Sequence, residues 1–182
     1  MISAGYMAKN VATKTDWLKA GNVQDIYSVS GCLSEYFTDY INYWKHNGFY
    51  FFNSPRIIKE LAEENSSSLE GTKLFYYEVY ELEYHDDEPN WRNFVSEQSF
   101  HTEVTAPDVK NIQGFDVVTF SCGTSPECSP LSCNSLASNI KTNTHCLIDT
   151  FEEAKQSLEN GKFRNAEPGP FRIFCVYSTG WT

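Results

Sequence analysis

Lys73 to Tyr84, which reads KLFYYEVYELEY, is the longest strand pattern in the chain. Apolar and aromatic residues alternate along it, and over its first half both sides are apolar, as in a strand that is buried on both faces. The stretch therefore predicts a long strand near the middle of a sheet. The alternation places on one face Leu74, Tyr76, Tyr80, Leu82 and Tyr84, and on the other Phe75, Tyr77 and Val79.

Strand and helix patterns continue on both sides of this stretch. Apolar spacing from Leu33 to Trp44 predicts a helix. Two more helices are predicted, one with Ser54 as its cap and Pro55 in its first turn, the other capped by Asp149 or Thr150. The patterns together indicate an α+β fold with helices packed on a mixed sheet. Further strands are predicted at 26–31, 49–52, 115–121, 145–148 and 171–178.

The order of these patterns repeats along the chain. Each half has a strand, a long excursion, a short strand, a capped helix and an aromatic strand, which predicts two similar β-α-β-α-β halves, 21–90 and 110–182, related by a pseudo-twofold. A cleft between such halves would be the default ligand site. Since β-α-β units look alike on physical grounds alone, duplication and coincidence both stay open. The corresponding segments are 26–31 and 115–121, 51–54 and 147–150, and 75–80 and 172–177.

The length and composition indicate one domain. A chain of 182 residues with 41% hydrophobic residues has enough apolar material for a core of its own. Residues 1–20 are weakly patterned and are predicted to be a poorly ordered arm ahead of a single domain, 21–182. The sequence shows neither an apolar run of ~20 residues nor an apolar segment of signal-peptide type, which predicts a cytoplasmic protein with reduced cysteines.

The charge limits the classes of partner. A formal net charge of −10 does not favour binding to the phosphate backbone of nucleic acids or to an anionic membrane surface. The 11 tyrosines suit half-wet positions of the kind found in recognition surfaces. The partner is thus expected to be a protein or a small molecule, and a homodimer stays open.

The segment 122–150 is the first place to look for chemistry. It holds four of the six cysteines among small polar and turn-forming residues. A nucleophilic or redox-active thiol at Cys128 or Cys133, with His145 as the base, is one candidate site. No known catalytic signature surrounds these residues.

A zinc site made of Cys128, Cys133, His145 and Cys146 is the second candidate. It is not favoured, because neighbouring residues on a strand point to opposite faces and His145 and Cys146 could both bind only from an irregular turn. Small buried thiols that pack like alanine are the ordinary alternative. The sequence predicts no cofactor.

Glu78 is the candidate from the central strand. The alternation places its carboxylate on a largely apolar face, where it must be paired, have a raised pKa or line a pocket. With the aromatic side chains around it, Glu78 suggests a ligand-binding surface. The other candidate binding residues are Tyr76, Tyr80, Trp44 and His46.

Three strings of the sequence carry a resemblance. They are SPECSPLSCNSLA at 125–137, INYWKHNGF at 41–49 and EPGPFRIF at 167–174. With them the chain resembles, from about Ala8 onward, a family of uncharacterised bacterial proteins of similar length. The resemblance implies a bacterial setting and brings no activity, cofactor or catalytic residue.

Two functions follow from these observations, and whether the protein is an enzyme stays open. The first is a non-catalytic binding or regulatory protein that uses the cleft between the halves or the acidic, aromatic surface. The second is a cysteine-dependent enzyme or redox protein centred on residues 122–146. Convergence of Cys128, Cys133 and His145 in a solvent-reachable pocket would favour the second.

Overall fold

A computed structural model of the protein describes residues 1–40, 47–94, 103–121 and 125–181. The predicted α+β fold is confirmed: a seven-stranded sheet has helices packed on it. The strands are β1 (Ile2–Asn10), β2 (Ala12–Thr13), β3 (Asp25–Ile26), β4 (Glu35–Tyr36), β5 (Lys73–Val79), β6 (Leu82–His85), β7 (Asn90–Asn93), β8 (Lys110–Thr119) and β9 (Phe171–Thr179). The α-helices are α1 (Pro55–Glu64), α2 (Pro130–Cys133) and α3 (Phe151–Glu159).

The centre of the sheet is the pair β5 and β9, whose residues Tyr77 and Val176 lie opposite each other. The strand order is β4-β1-β5-β9-β6-β7, and β8 lies on β9. All these pairings are antiparallel, where a mixed sheet was expected. The predicted strand 73–84 is central but broken, since it ends at Val79 and resumes as β6.

The prediction that residues 1–20 are a poorly ordered arm is corrected at residues 2–10, which form β1 in the interior of the sheet. β1 pairs with β5 on one side and with β4 on the other. Its side chains from Ala4 to Lys9 are buried. Small residues and a lysine hid the strand from a search for apolar alternation, and the domain therefore begins well before residue 21.

The predicted strand 26–31 is also wrong beyond Ile26. Residues 27–31 follow an irregular buried path, because side chains satisfy their backbone polar groups. The buried Lys9 ammonium donates to the carbonyls of Ser28 (2.5 Å) and Ser30 (2.6 Å). The Val29 N–H donates to the Asp116 carboxylate at 2.8 Å. A segment whose hydrogen bonds are made this way needs no strand partner.

The helix predictions are correct in part. Of the segment 33–44, the structure describes residues up to Tyr40, which form β4 and a 3-10 turn, Phe37–Tyr40. Helices α1 and α3 begin where expected. The Thr150 side chain caps α3 by accepting from the Glu153 N–H, whereas Ser54 makes no side-chain bond at α1.

The two short segments predicted as strands, 49–52 and 145–148, are mainly turns. In each, a single bridge reaches the sheet, Phe52 to Tyr6 and Ile148 to Phe115. Residues 143–147 instead fold around an asparagine side chain, because Asn143 accepts from the His145 and Leu147 backbone.

Two parts of the chain repeat the same local geometry. The first comprises β1, residues 47–52, α1 and β5; the second comprises β8, residues 143–148, α3 and β9. In both, the first strand has a bulge at a glycine of positive φ, Gly5 (134°) or Gly114 (141°). In both, an asparagine side chain, Asn47 or Asn143, donates to the backbone beside that glycine. The first part starts at β1, upstream of the predicted boundary at residue 21.

Candidate thiol site

Three thiols from distant parts of the sequence converge at one point. The sulfur atoms of Cys32, Cys128 and Cys133 all lie within 4.8 Å of one another. Cys32 is exposed, Cys133 is half-buried and Cys128 is buried. The site therefore connects the interior to solvent through Cys32.

The end of β8 and helix α2 position two of these thiols. The Thr119 N–H donates to the Cys128 carbonyl at 2.9 Å and the Glu127 N–H donates to the Thr119 carbonyl at 3.1 Å, which fixes the chain beside the strand end. Helix α2 then starts at Pro130, a residue suited to a first helical turn. Its one turn carries Cys133 back over Cys128.

A buried polar network joins this segment to the loop that carries Cys32. The Ser129 hydroxyl donates to Asp116 Oδ2 at 2.6 Å and accepts from the Ser30 N–H at 3.1 Å. The same Asp116 oxygen accepts from Val29. The Asp116 carboxylate thus holds the loop that carries Cys32 next to the segment that carries Cys128 and Cys133.

The two buried charges of this network have shifted pKa values. Burial lowers the pKa of Lys9 to about 7, against the attraction of Asp116. Burial likewise raises the pKa of Asp116 to about 6, against the hydrogen bonds from Ser129 and Val29 and the charge of Lys9. The interior therefore holds the charges of Lys9 and Asp116 at a cost in free energy.

The pKa values of the three thiols are shifted in different directions. Hydrogen bonds from Cys128 and Cys133 lower the pKa of Cys32, with Ser30 and the Lys9 charge adding to the effect. The pKa of Cys128 is raised by its bonds to Cys133 and Cys32 and by burial. For Cys133, the bond with Cys128 lowers the pKa, but the bond to Cys32 and burial outweigh it. The exposed thiol is therefore the preferred thiolate.

The other contacts of the sulfur atoms are neutral. While Cys32 is protonated, Cys32 Sγ donates to the Glu127 carbonyl at 3.2 Å and Cys128 Sγ donates to Asn134 Oδ1 at 3.3 Å; the Cys128 proton turns to Cys32 only when Cys32 is the thiolate. The Ser30 hydroxyl lies 3.9 Å from Cys133 Sγ. These contacts orient the thiols and place no charged side chain against the sulfur atoms.

The predicted partners His145 and Cys146 are not members of this group. In the part of the chain that the structure describes, the group of three potential metal ligands that lie close together consists of Cys32, Cys128 and Cys133. The His145 Nδ1 pairs with Asp25 at 2.5 Å and its ring stacks on Tyr27. Cys146 is buried in a separate apolar core. Burial raises the pKa of Cys146 to about 12.

Cys32 is the residue that the sequence analysis missed. It lies about 90 residues before Cys122 and has no spacing relation to the cysteine-rich segment. The fold alone brings it in, through the path of residues 27–32 around Lys9. Cys122 itself lies outside the described residues.

The Glu78 candidate is a paired carboxylate. It accepts from Lys110 Nζ at 2.5 Å and from the Tyr177 hydroxyl at 2.9 Å. Burial acts to raise the pKa of Glu78, but these two partners outweigh it and lower the pKa. Tyr76 is buried beneath this group and Tyr80 packs against Trp91 and Phe151. Trp44 and His46 lie outside the described residues.

Comparison with protein-family models, with curated proteins and with solved structures gave no match. Within the described ranges, none of the helices combines the length and the apolar character that crossing a membrane would require.

Proposed function

We propose that the protein is a redox-responsive thiol protein in which Cys32 is the reactive residue and Cys128 or Cys133 resolves it. The observation that supports this function is the convergence of three sulfur atoms within 4.8 Å, one of them exposed. Such a thiol beside a second thiol is the usual arrangement of a redox sensor. The cysteine-dependent alternative predicted from the sequence thus takes precedence, but the reactive thiol is now Cys32, Cys128 and Cys133 become its partners, and His145 has no role as a base.

The reaction is a two-electron oxidation by a peroxide. The Cys32 thiolate attacks one peroxide oxygen and the O–O bond breaks, which with one proton gives a sulfenic acid and releases water or an alcohol. The neighbouring thiol then attacks the sulfenic sulfur, and a disulfide forms as a second water leaves. A thiol reductant reverses the reaction by exchange.

The geometry requires only a local movement. A disulfide needs its sulfur atoms ~2.05 Å apart, so the atoms must approach from a separation of at most 4.8 Å. Cys32 lies on the exposed side of its loop, which leaves it free to approach either partner. Cys128 and Cys133 are held by the strand end and by α2.

The test is oxidation of the reduced protein by one equivalent of hydrogen peroxide, followed by alkylation and peptide mapping. The expected product is a disulfide from Cys32 to Cys128 or Cys133 that dithiothreitol reverses. A Cys32→Ser variant should not form it, whereas Cys175→Ala, which removes a buried thiol of β9, should behave as the wild type. Oxidation of Cys32 no faster than that of Cys175, or no disulfide within the group, would refute the function.

The non-catalytic binding function remains a prediction. In the described part of the chain its main candidate, Glu78, has its oxygens engaged by Lys110 and Tyr177. A reducing cytoplasm, predicted from the sequence, would suit the thiol function, because there the disulfide would form only in response to an oxidant.

A further inference from the structure

The thiol site has one sulfur more than a disulfide needs. Oxidation joins two of the three thiols, yet Cys32, Cys128 and Cys133 all lie within the same 4.8 Å. Three sulfur atoms bound to one metal ion at the usual ~2.3 Å are separated by about 3.8–4.0 Å. The observed cluster is within a small adjustment of that geometry.

We propose that the reduced thiols of Cys32, Cys128 and Cys133 bind a single thiophilic d¹⁰ metal ion, Cu⁺ or Zn²⁺. Thiolate sulfur is the protein ligand that selects these ions over hard cations such as Mg²⁺ and Ca²⁺. The inference goes beyond the redox function, since metal binding uses all three thiols and involves no oxidation.

The site offers three protein ligands, so a metal ion that needs a fourth must take it from solvent. Of the His, Cys, Asp and Glu side chains that the structure describes, none other joins the three sulfur atoms within 4.8 Å. Three thiolates can complete the coordination of Cu⁺. Zn²⁺ favours four ligands and would take the fourth from water at the exposed side of Cys32.

The surroundings provide charge compensation. Three thiolates around a monovalent or divalent ion leave an excess of negative charge, which is costly in a partly buried site. Lys9 is fully buried with its pKa lowered to about 7, and when it is protonated its ammonium acts electrostatically on Cys32 and on Cys133. It is fixed behind the Cys32 loop by the carbonyls of Ser28 and Ser30.

The ligands are also largely positioned before the metal arrives. The bonds from Ser129 and Val29 to Asp116, and from Ser30 to Ser129, connect the two ligand-bearing segments. Because these bonds fix the segments that carry the ligands, the three sulfur atoms need to move only a little to reach one ion. Binding would therefore not require the chain to fold around the ion.

The experiment uses chelator-treated, fully reduced protein under anaerobic conditions. Zn²⁺ is titrated against a chromogenic zinc chelator and Cu⁺ against a chromogenic copper(I) chelator. One ion per chain is expected for at least one metal, with thiolate-to-metal charge-transfer absorption in the Cu⁺ titration. Each arm shows by itself whether its ion binds at one equivalent per chain.

Variants separate the site from other thiols. Cys32→Ser and Cys133→Ser should each weaken binding by at least about 100-fold, because loss of a ligand exceeds the 10–100-fold cost of losing an outer-shell partner. Cys175→Ala removes one thiol elsewhere and should bind as the wild type. Circular dichroism checks that each variant is folded, and Cys32, being exposed, is the variant least prone to unfold.

The two proposals fail differently. Failure of both ions to compete with the chelators, or equal binding by Cys32→Ser and the wild type, would overturn the metal site even if the disulfide forms. Metal binding to a reduced protein that never forms the disulfide would leave the metal site standing without the redox function. Protein already oxidised at Cys32 should bind neither ion.

Discussion

At the scale of single residues, Lys9 and Asp116 decide the path of the loop that carries Cys32. The backbone of residues 28–30 donates to the carboxylate and accepts from the ammonium. Both side chains are removed from water, Lys9 at 0% and Asp116 at 1% exposure. A buried network of this kind specifies one loop conformation, here through Asp116 Oδ2, whereas the buried Oδ1 has no hydrogen-bond partner among the described residues.

Asp116 gives the protein a pH dependence that Asp116→Asn should remove. Because the folded-state pKa is raised to about 6, folding favours the protonated carboxyl. Its contribution to stability is present below pH ~4 and is lost as the pH rises through ~6, by at most about 3 kcal/mol. Asparagine keeps an acceptor for Val29 and Ser129 and has no charge to bury.

The measurement is urea unfolding of both proteins from pH 4 to pH 7. The stability of Asp116→Asn relative to wild type should improve across this range. Parallel curves for the two proteins would show that the carboxyl is not held in this way.

The sequence could not have identified these residues. Lysine and aspartate are among the side chains least often buried, so a Lys in a weakly patterned N-terminus and an Asp inside a strand pattern look like surface groups. Their role depends on contacts between β1, β8 and residues 28–30, which are far apart in the chain. For the same reason Cys128 and Cys133 could be named as candidates and Cys32 could not.

At the scale of elements, local signals predicted those parts whose structure depends on neighbours in sequence. Helices α1 and α3 and strands β5, β8 and β9 were found, because capping residues and apolar spacing act over a few residues. β1 and residues 27–31 were missed or assigned wrongly, because their conformation depends on pairing with β5 and on the Lys9 ammonium.

The capping of the two helices gives an element-scale prediction with its own control. Thr150→Ala should lower the free energy of unfolding by about 1 kcal/mol, because the Glu153 N–H loses its acceptor. Ser54→Ala at the matching position of α1 should cost less than about 0.5 kcal/mol, since Ser54 makes no side-chain cap bond. Urea unfolding measures both, and equal losses would contradict the assignment of the cap.

At the scale of the molecule, the repeated geometry of the two parts refines the predicted correspondence. Gly5 lies opposite Tyr77 and Gly114 lies opposite Val176, so Tyr77 corresponds to Val176. The sequence pattern had matched Tyr77 to Phe174, which lies two residues before Val176. A shift of two residues keeps every side chain on the same face of the strand, so the apolar pattern cannot reveal it. Duplication itself stays a prediction, and any superposition of the two parts should match Tyr77 to Val176.

The two bulge glycines should respond alike to substitution. A Cβ at Gly5 would lie 2.7 Å from the Phe52 carbonyl oxygen, and one at Gly114 would lie 2.8 Å from the Ile148 carbonyl oxygen. Gly5→Ala and Gly114→Ala should each cost at least about 2 kcal/mol, from left-handed strain and crowding together. Gly21→Ala, which meets nothing within 4 Å, is the control and should be nearly neutral. Tolerance of alanine at Gly5 or Gly114, measured by thermal unfolding, would argue against the bulge geometry.

The central position of β9 determines how much of the sheet can form before residues 171–179 are translated. β8 has β9 as its sheet partner, and β9 also covers the edge of β5. Until residues 171–179 are translated, both strands present open edges of the kind that pair with other chains. The strand end of β8 that positions Cys128 therefore gains its final surroundings only when β9 has paired with it.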